Sequence, residues 1–332
     1  MNKFNVAVVG ATGAVGREMV KILDERKFPI KDLVLLASER SAGETINFRK
    51  KELEVQELNT SSFEDIDIAL FSAGSSVSKK FVPIAVKNGT IVIDNSSAFR
   101  MDSHVPLIVP EVNLGDLKKH NGIIANPNCS TIQMVVALKP ILDEVGINRI
   151  IVSTYQSVSG TGKDAIDELA EQSSQILNNK KPVRKVYPHQ IAFNILPHID
   201  VFENNGYTKE EMKLIHETKK IFGNSKIKIT ATAARVPVFY GHSESVYLET
   251  KKQITIKKLK NIYLKTKGIK LVDDIDNSKY PLAIMSEIYD DVMIGRLRKD
   301  LTEPNGINMW IVANNLRKGA ALNAVQIAEL LI

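Results

Sequence analysis

Cys129 is the only cysteine in 332 residues, and a lone cysteine closes no internal disulfide. A packed core must hold the fold, and a reducing compartment, the cytoplasm, is the expected location. Aromatic residues are scarce at 6%, and the basic residues behind the net charge of +6 are scattered rather than gathered into a block. Nucleic-acid binding calls for a clustered basic face or stacking aromatics, so no nucleic-acid partner is expected. A mild positive balance suits anionic small molecules, phosphates and carboxylates. No apolar run approaches the ~20 residues that cross a bilayer, so no membrane partner is expected either. The opening MNKFNVAVVGATGAVG sets a lysine before an apolar run, but glycines interrupt it where a secretory core would continue. Metal-ligand spacing is missing as well. No H-x-x-x-H or C-x-x-C occurs, and His104, His120, His189, His198 and His216 form no cluster.

What is present is ordinary for a soluble protein of two domains, with 44% apolar and 25% charged residues. The first half alternates strand-like and helix-like stretches. Asn5 to Val9 reads as a buried parallel strand, and Val15, Met19, Val20, Ile22 and Leu23 then recur near helical period. Gly10, Gly13 and Gly16 lie between them. Gly10 permits a tight exit from the strand, Gly13 a close approach of backbone to a pyrophosphate, and Gly16 close helix–strand packing, with the helix N-terminus supplying N–H donors. The spacing is G-x-x-G-x-x-G rather than G-x-G-x-x-G, and a glycine turn that merely packs is the alternative. After the next strand, residues 33–37, comes SERSAG. Arg40 and Ser41 suit a 2′-phosphate and favour NADP, whereas Glu39 could serve the ribose hydroxyls of NAD. FSAGSS (71–76) and Arg100, after DNSSAF, also follow strand ends, where α/β sheets bind ligands. Arg100 is an anion ligand or a solvated charge.

Cys129 lies in NPNCST, between a short strand, Ile123 to Ala125, and a helix marked by Ile132, Val135, Val136, Leu138, Leu142 and Val145. Ser130 and Thr131 are capping residue types, and Pro140 is a candidate kink. A helix N-terminus favours thiolate over thiol. A nucleophilic cysteine in a dinucleotide-binding chain suggests acyl transfer coupled to hydride transfer; the alternative is an inert buried thiol. His242, in FYGHSE between strand-like stretches, is a proton-exchanging group or a solvent-facing loop histidine. Arg235 precedes it by seven residues around Pro237, and this spacing alone does not put both in one pocket. Glu210 and Lys213, i and i+3 in KEEMKLIHETKKIF, would ordinarily be an exposed helical ion pair.

GATGAVG, SERSAG, NPNCST, TYQSVSGTG, RVPVFYGHSE and NLRKGAALNAVQIAE together resemble the aspartate-semialdehyde dehydrogenase family in its shorter bacterial form, from residue 4 to the C-terminus. The resemblance implies an α/β fold: a Rossmann-type NADP-binding domain, residues 1–128 with 313–332, and an α+β catalytic and dimerisation domain with a mixed sheet, residues 129–312. It implies that Cys129 forms an acyl-enzyme, His242 is the acid/base and Gln156 positions the acyl group. Arg235 would bind the substrate carboxylate, with Arg100, Asn128, Glu210 and Lys213 completing the substrate and phosphate sites. The implied cofactor contacts are Gly10, Thr12, Gly13, Ala14, Val15, Gly16, Ser38, Arg40, Ser41, Ser72, Ser159, Gly160 and Asn315. The implied reaction is NADPH-dependent reductive dephosphorylation of L-aspartyl 4-phosphate to aspartate 4-semialdehyde, on the route to lysine, diaminopimelate, methionine and threonine, in a homodimer. N-acetylglutamyl-phosphate reduction needs the same cysteine, histidine and phosphate logic. A non-catalytic NADP-binding sensor would need neither Cys129 nor His242.

Overall fold

The computed structural model describes residues 3–332. They form two compact units, one comprising the described chain up to Asn128 with Ala320–Ile332, the other Cys129–Gly319. Residues 313–319, grouped above with the nucleotide-binding part, cluster with the second unit.

The first unit runs β1 (Phe4–Val9), α1 (Ala14–Glu25), β2 (Ile30–Ala37), β3 (Thr45–Phe48), β4 (Lys51–Glu57), β5 (Ile68–Phe71), α2 (Ser75–Lys87), β6 (Ile91–Asp94), the short α3 (Pro110–Asn113) and β7 (Ile123–Ala125). Its sheet has the order β3-β4-β2-β1-β5-β6-β7. Only β3, antiparallel to β4, departs from parallel pairing. Both faces are covered, which is why the central strands read as continuous apolar runs. Val6 and Val8 pack with Met19 and Leu23 of α1 and with Val325 and Ile327 of the C-terminal helix Leu322–Glu329. Ala7 and Val9 pack on the other side with Phe81, Val82 and Ala85 of α2. The order reverses at β1, which has β2 on one side and β5 on the other. In such sheets a ligand crevice lies outside the carboxyl ends of the strands at that reversal. The turn after β1 therefore matters most. Gly10 has φ +80°, and a Cβ on it would lie 2.9 Å from the Ser72 carbonyl carbon. At Gly16 the constraint is space, since a Cβ there would lie 2.1 Å from Gly10 O.

The second unit runs α4 (Cys129–Val145), β8 (Ile147–Gln156), α5 (Lys163–Leu177), α6 (Lys209–Ile221), β9 (Lys228–Arg235), β10 (His242–Thr250), α7 (Ile256–Tyr263), β11 (Ile269–Leu271), β12 (Val292–Lys299) and β13 (Gly306–Ala313). Its sheet is mixed, in the order β11-β12-β13-β10-β8-β9. Strand periodicity sorts the faces. In β10, His242, Glu244, Val246, Leu248 and Thr250 are buried, while Ser245, Tyr247 and Glu249 are half-exposed. Helix α4 packs against β8, β10, β12 and β13. The opposite face carries exposed Ile151 and the Tyr155 and Trp310 rings, 5.3 Å apart. Ser130 and Thr131, offered above as caps, lie inside the first turn of α4, because the helix already begins at Cys129; Pro140 lies within the helix without ending it. Helix α6 starts with a capping box, in which Thr208 Oγ1 accepts from Glu211 N at 3.3 Å and Thr208 N donates to Glu211 Oε2 at 2.7 Å. No helix of the described residues is long and apolar enough to cross a membrane.

The contact at Gly16 gives a direct test of the turn. Gly16→Ala should destabilise the protein by about 2 kcal/mol, within the range for overpacking, and weaken nucleotide binding. Gly115→Ala, where a Cβ meets nothing within 4 Å, should leave both close to wild type. Thermal melts and nucleotide titrations of the two variants provide the comparison.

Candidate active site

In the first unit the loops that follow the parallel strands open on one edge. The turn of Gly10, Thr12 and Gly13 follows β1 and leads to Ala14, Val15 and Gly16 at the start of α1. A 3₁₀ turn, Glu39–Ser41, preceded by Ser38, follows β2. Ser72 follows β5, and its hydroxyl donates to Val9 O at 3.1 Å, tying the two loops together. Arg100, 7% exposed, lies beyond β6, and its Nη2 donates to Asn95 O at 2.8 Å. Asn128, also buried, lies beyond β7. The glycine turn fits a dinucleotide: no acidic side chain occupies the first turn of α1, and a Cβ on Gly13 would touch only Gly10 O, at 3.4 Å. An anion can thus approach the helix N-terminus without meeting like charge. Glu39 and Arg40 are both exposed.

In the second unit the site is made by strand ends. Strands β8 and β9 are parallel, with Gln156 opposite Arg235 at their ends. Strand β10 lies on the other side of β8 and runs antiparallel to it, so it begins at that same edge with His242. The turn between Arg235 and His242 spans the end of β8. This arrangement brings Arg235, Gln156 and His242 together, and β13 ends beside them with Ala313 paired to His242. Gly160 sits between the two cationic-type side chains. A Cβ there would lie 3.2 Å from Arg235 Nη1 and 3.4 Å from both Nε2 and Cε1 of His242. The absent side chain leaves space between guanidinium and imidazole.

His242 is fully buried, not a solvent-facing loop residue. Ser157 N donates to its Nδ1 at 3.1 Å. A filled Nδ1 lone pair leaves the proton of the neutral ring on Nε2. Burial pushes the His242 pKa down to about 3, with the Arg235 guanidinium adding to the effect and Glu210 opposing it. The ring is therefore neutral and presents an N–H. Asn315 fixes the loops around it. Its Oδ1 accepts from Gly241 N at 3.0 Å and from Ser157 Oγ at 3.1 Å, and its Nδ2 donates to Ser159 Oγ at 3.0 Å. The Asn315 amide thus braces these loops within the second unit. Arg235 Nη1 donates to Ser157 O at 2.7 Å.

Glu210 and Lys213 form no exposed pair. Glu210 is 5% exposed, accepting from Gln156 Nε2 at 3.1 Å and from Lys213 Nζ at 3.0 Å. Lys213 also donates to Asp200 Oδ2 at 2.8 Å. Burial alone would lower the Lys213 pKa, but Glu210 and Asp200 outweigh it and hold the ammonium above its ordinary value. The result is a fixed cation beside a buried carboxylate that also holds the Gln156 amide. Gln156 Oε1 is in turn held by Thr154 Oγ1 at 3.0 Å. Cys129 begins α4, half-buried. Gly319 lies against it, with a Cβ there only 2.9 Å from Cys129 Cβ. One turn along α4, Gln133 Nε2 donates to His242 O at 3.4 Å, connecting the thiol-bearing helix to the histidine-bearing strand.

Sequence reasoning passed over Ser157, Gln133, Gly319 and Glu244. Glu244, two residues beyond His242, is fully buried, and burial holds its pKa well above the carboxylate range. Strand alternation from His242 was the available signal for it.

Family models agree with this division. The semialdehyde dehydrogenase NAD binding domain matches residues 5–120, and the semialdehyde dehydrogenase dimerisation domain matches residues 138–318. Aspartate-semialdehyde dehydrogenase of Aquifex aeolicus (strain VF5) is 56% identical over 99% of this chain and 98% of that protein. The Bacillus subtilis (strain 168) enzyme of that name is 53% identical over 98% and 96%. Among solved structures, aspartate semialdehyde dehydrogenase II from Vibrio cholerae, complexed with ASA, superposes with a TM-score of 0.96 at 51% identity, covering 100% of this chain and 98% of that one. The Candida albicans enzyme with NADP gives 0.78 at 26% identity, covering 99% and 98%.

The neutral histidine predicts a pH dependence of stability. In the unfolded chain the ring titrates near 6.5, in the folded one at about 3. Between those values only the unfolded chain takes up the proton, so stability falls as pH drops from 6.5 towards 3 and is unaffected above. Each pH unit in that window costs about 1.4 kcal/mol. Going from pH 7 to pH 5 should cost wild type about 2 kcal/mol more than it costs His242→Gln, read from denaturant unfolding at both pH values. Equal losses would mean the ring titrates normally.

Proposed function

For this chain, which belongs to the aspartate-semialdehyde dehydrogenase family, we propose NADP-dependent interconversion of L-aspartyl 4-phosphate and L-aspartate 4-semialdehyde through a thioester on Cys129. The observation that carries the reading is the convergence of Arg235, Gln156 and neutral His242 at one sheet edge, with the Glu210–Lys213 pair behind them. When bound, the nicotinamide supplies the hydride in one direction and accepts it in the other. Arg40 and Ser41 are the groups that favour the 2′-phosphate form.

In the reductive direction the Cys129 thiolate attacks the acyl carbon of the acyl phosphate, the C–O bond to phosphate breaks, and the thioester forms. Lys213 in the second unit and Arg100 in the first supply cations for the phosphate. Arg235 pairs with the α-carboxylate, for which a guanidinium fork is well suited, and Glu210 offers its carboxylate to the α-ammonium. Once the thioester carbon has been reduced, its oxygen carries negative charge, and the His242 Nε2–H donates to it. Collapse then expels the thiolate and releases the aldehyde, so no net proton is consumed on the chain. A ring held neutral with Nε2 protonated suits this donor role near neutral pH, and Gln156 orients the acyl oxygen beside it. Cofactor contacts are assigned to the glycine turn, Ser38, Ser72, Ser159 and Gly160. A reducing cytoplasm keeps the single thiol competent.

N-acetylglutamyl-phosphate reduction shares the chemistry, but an acetylated amine has no use for buried Glu210. A nucleotide sensor would have no use for the histidine and its braces. The second unit's uncovered face, with Tyr155, Trp310 and Ile151, is assigned to a homodimer contact.

NADPH should form from aspartate semialdehyde and NADP only with inorganic phosphate present. N-acetylglutamate semialdehyde and NAD should each give much lower rates. Cys129→Ala should reduce turnover by about 10⁴-fold or more while leaving nucleotide affinity near wild type; turnover surviving that change would overturn the thioester route. Trp310→Glu, which puts a charge on the uncovered face, should shift sedimentation from dimer towards monomer.

A further inference from the structure

Three asparagine side chains meet where β6 and β7 end in the first unit. The two strands are parallel neighbours with Asp94 opposite Ala125, so Asn95 and Asn126 are the first residues beyond them. Asn126 N donates to Asp94 O at 2.8 Å and prolongs the pairing by one step. The Asn126 side chain is fully buried. Its Nδ2 donates to Asn95 Oδ1 and, at 3.2 Å, to Ala320 O. Its Oδ1 accepts from Asn323 Nδ2 at 2.7 Å, and that nitrogen also donates to Ile108 O at 3.0 Å. Both hydrogens and the oxygen of the Asn126 amide are therefore engaged.

Two of these partners settle which way the amides face. Ala320 O and Ile108 O are main-chain carbonyls and can only accept, so Nδ2 of Asn126 and Nδ2 of Asn323 lie towards them. The second hydrogen on Asn126 Nδ2 then needs an acceptor, and Asn95 supplies its Oδ1. Turning any one amide over would set acceptor against acceptor in a buried place, at the cost of an unmade hydrogen bond.

We infer that Asn126 is a positioning residue for Arg100 and Cys129: its amide ties the loop that carries Arg100 to the segment that runs into the nucleophile, and secures both to the start of the C-terminal helix. Asn95 O accepts from Arg100 Nη2 at 2.8 Å, so holding Asn95 also holds the cation. Asp94 steadies the same loop by accepting from Ser96 N and from the Ser96 and Ser78 hydroxyls. On the other side Asn126 is followed by buried Pro127, whose ring keeps the residue before it extended, and then by Asn128 and Cys129. None of these bonds reaches the glycine turn or Ser38–Ser41, so nucleotide affinity should not depend on them. Loosening the tie should instead disturb phosphate binding and attack at the acyl carbon, where misplacement of about 1 Å can cost about 10²-fold. The inference rests on the reading of Arg100 as a cation for the phosphate.

The test varies inorganic phosphate at saturating aspartate semialdehyde and NADP, and compares Asn126→Ala, Asn323→Ala, Arg100→Ala and the double variant Asn126→Ala with Arg100→Ala. Asn126→Ala should raise KM for phosphate about tenfold and lower kcat about tenfold, with NADP affinity within about twofold of wild type. Asn323→Ala removes the donor to Asn126 Oδ1 but neither bond from Asn126 Nδ2. It should lower the melting temperature comparably while changing the phosphate KM and kcat by no more than about threefold. The double variant should have the phosphate KM of Arg100→Ala alone, because Asn126 acts on phosphate through that cation. The proposal is overturned if the phosphate KM of Asn126→Ala is that of wild type, if the two KM increases multiply, or if Asn323→Ala raises KM as far as Asn126→Ala. Should Asn126→Ala fail to fold, Asn95→Ala cuts the same bond from its acceptor side and should raise the phosphate KM likewise; a wild-type KM there overturns the proposal. A wild type inactive on aspartate semialdehyde, or an Arg100→Ala variant with unchanged phosphate KM, would overturn the functional reading and this inference with it. A raised KM in Arg100→Ala without one in Asn126→Ala removes the inference alone.

Discussion

The edge where β8, β9 and β10 end depends on one main-chain donor, the N–H of Ser157. By filling the Nδ1 lone pair of His242 it chooses the tautomer, and the tautomer decides what the ring can offer a substrate. The donor is part of the strand-to-turn junction after β8, so the choice is built into the backbone. The Asn315 carboxamide keeps that junction in place by gripping Gly241 N and the Ser157 and Ser159 hydroxyls together. A backbone donor cannot rotate away from the ring as a hydroxyl can, and this rigidity holds the imidazole in one role.

Around this fixed ring, two glutamates are kept in opposite states by their surroundings. Glu210 has Lys213 and, beyond it, Asp200, so its buried charge is compensated and its oxygens are occupied. Glu244 has no such cation, and burial pushes its pKa well above the ordinary carboxylate value. Desolvation without a partner separates the two, as it does wherever carboxyl groups in one protein diverge in acidity.

Much of the first unit is legible in the sequence because its signals are local. The run from Phe4 through the glycines to the apolar side of α1 announces strand, turn and helix in order, and the start of α4 follows the short strand before NPNCST. The second unit resists such reading at the points that matter most. Arg235 and His242 come together because β8, far earlier in the chain, is inserted between their strands, and no spacing within 235–242 encodes that. Glu210 and Lys213 look like a solvated pair on a helical wheel, and only the packing of α6 on β9 and α4 buries the glutamate. Glu244 carries the residue type of an exposed position while occupying a buried register of β10. Asn315 reads as one more polar residue after a strand, and its grip on three separate groups is visible only in three dimensions.

The solitary cysteine has a consequence for oxidative chemistry. A thiol at a half-buried helix start is open to oxidation to a sulfenic acid, whose usual rescue is condensation with a neighbouring thiol. This chain holds no second thiol. Repair at Cys129 must therefore come from a small thiol or a reductase outside the protein, and without one the sulfur proceeds to the sulfinic and sulfonic states that ordinary thiols do not reverse. Recovery of Cys129 from oxidation thus depends on the thiol pool around the protein.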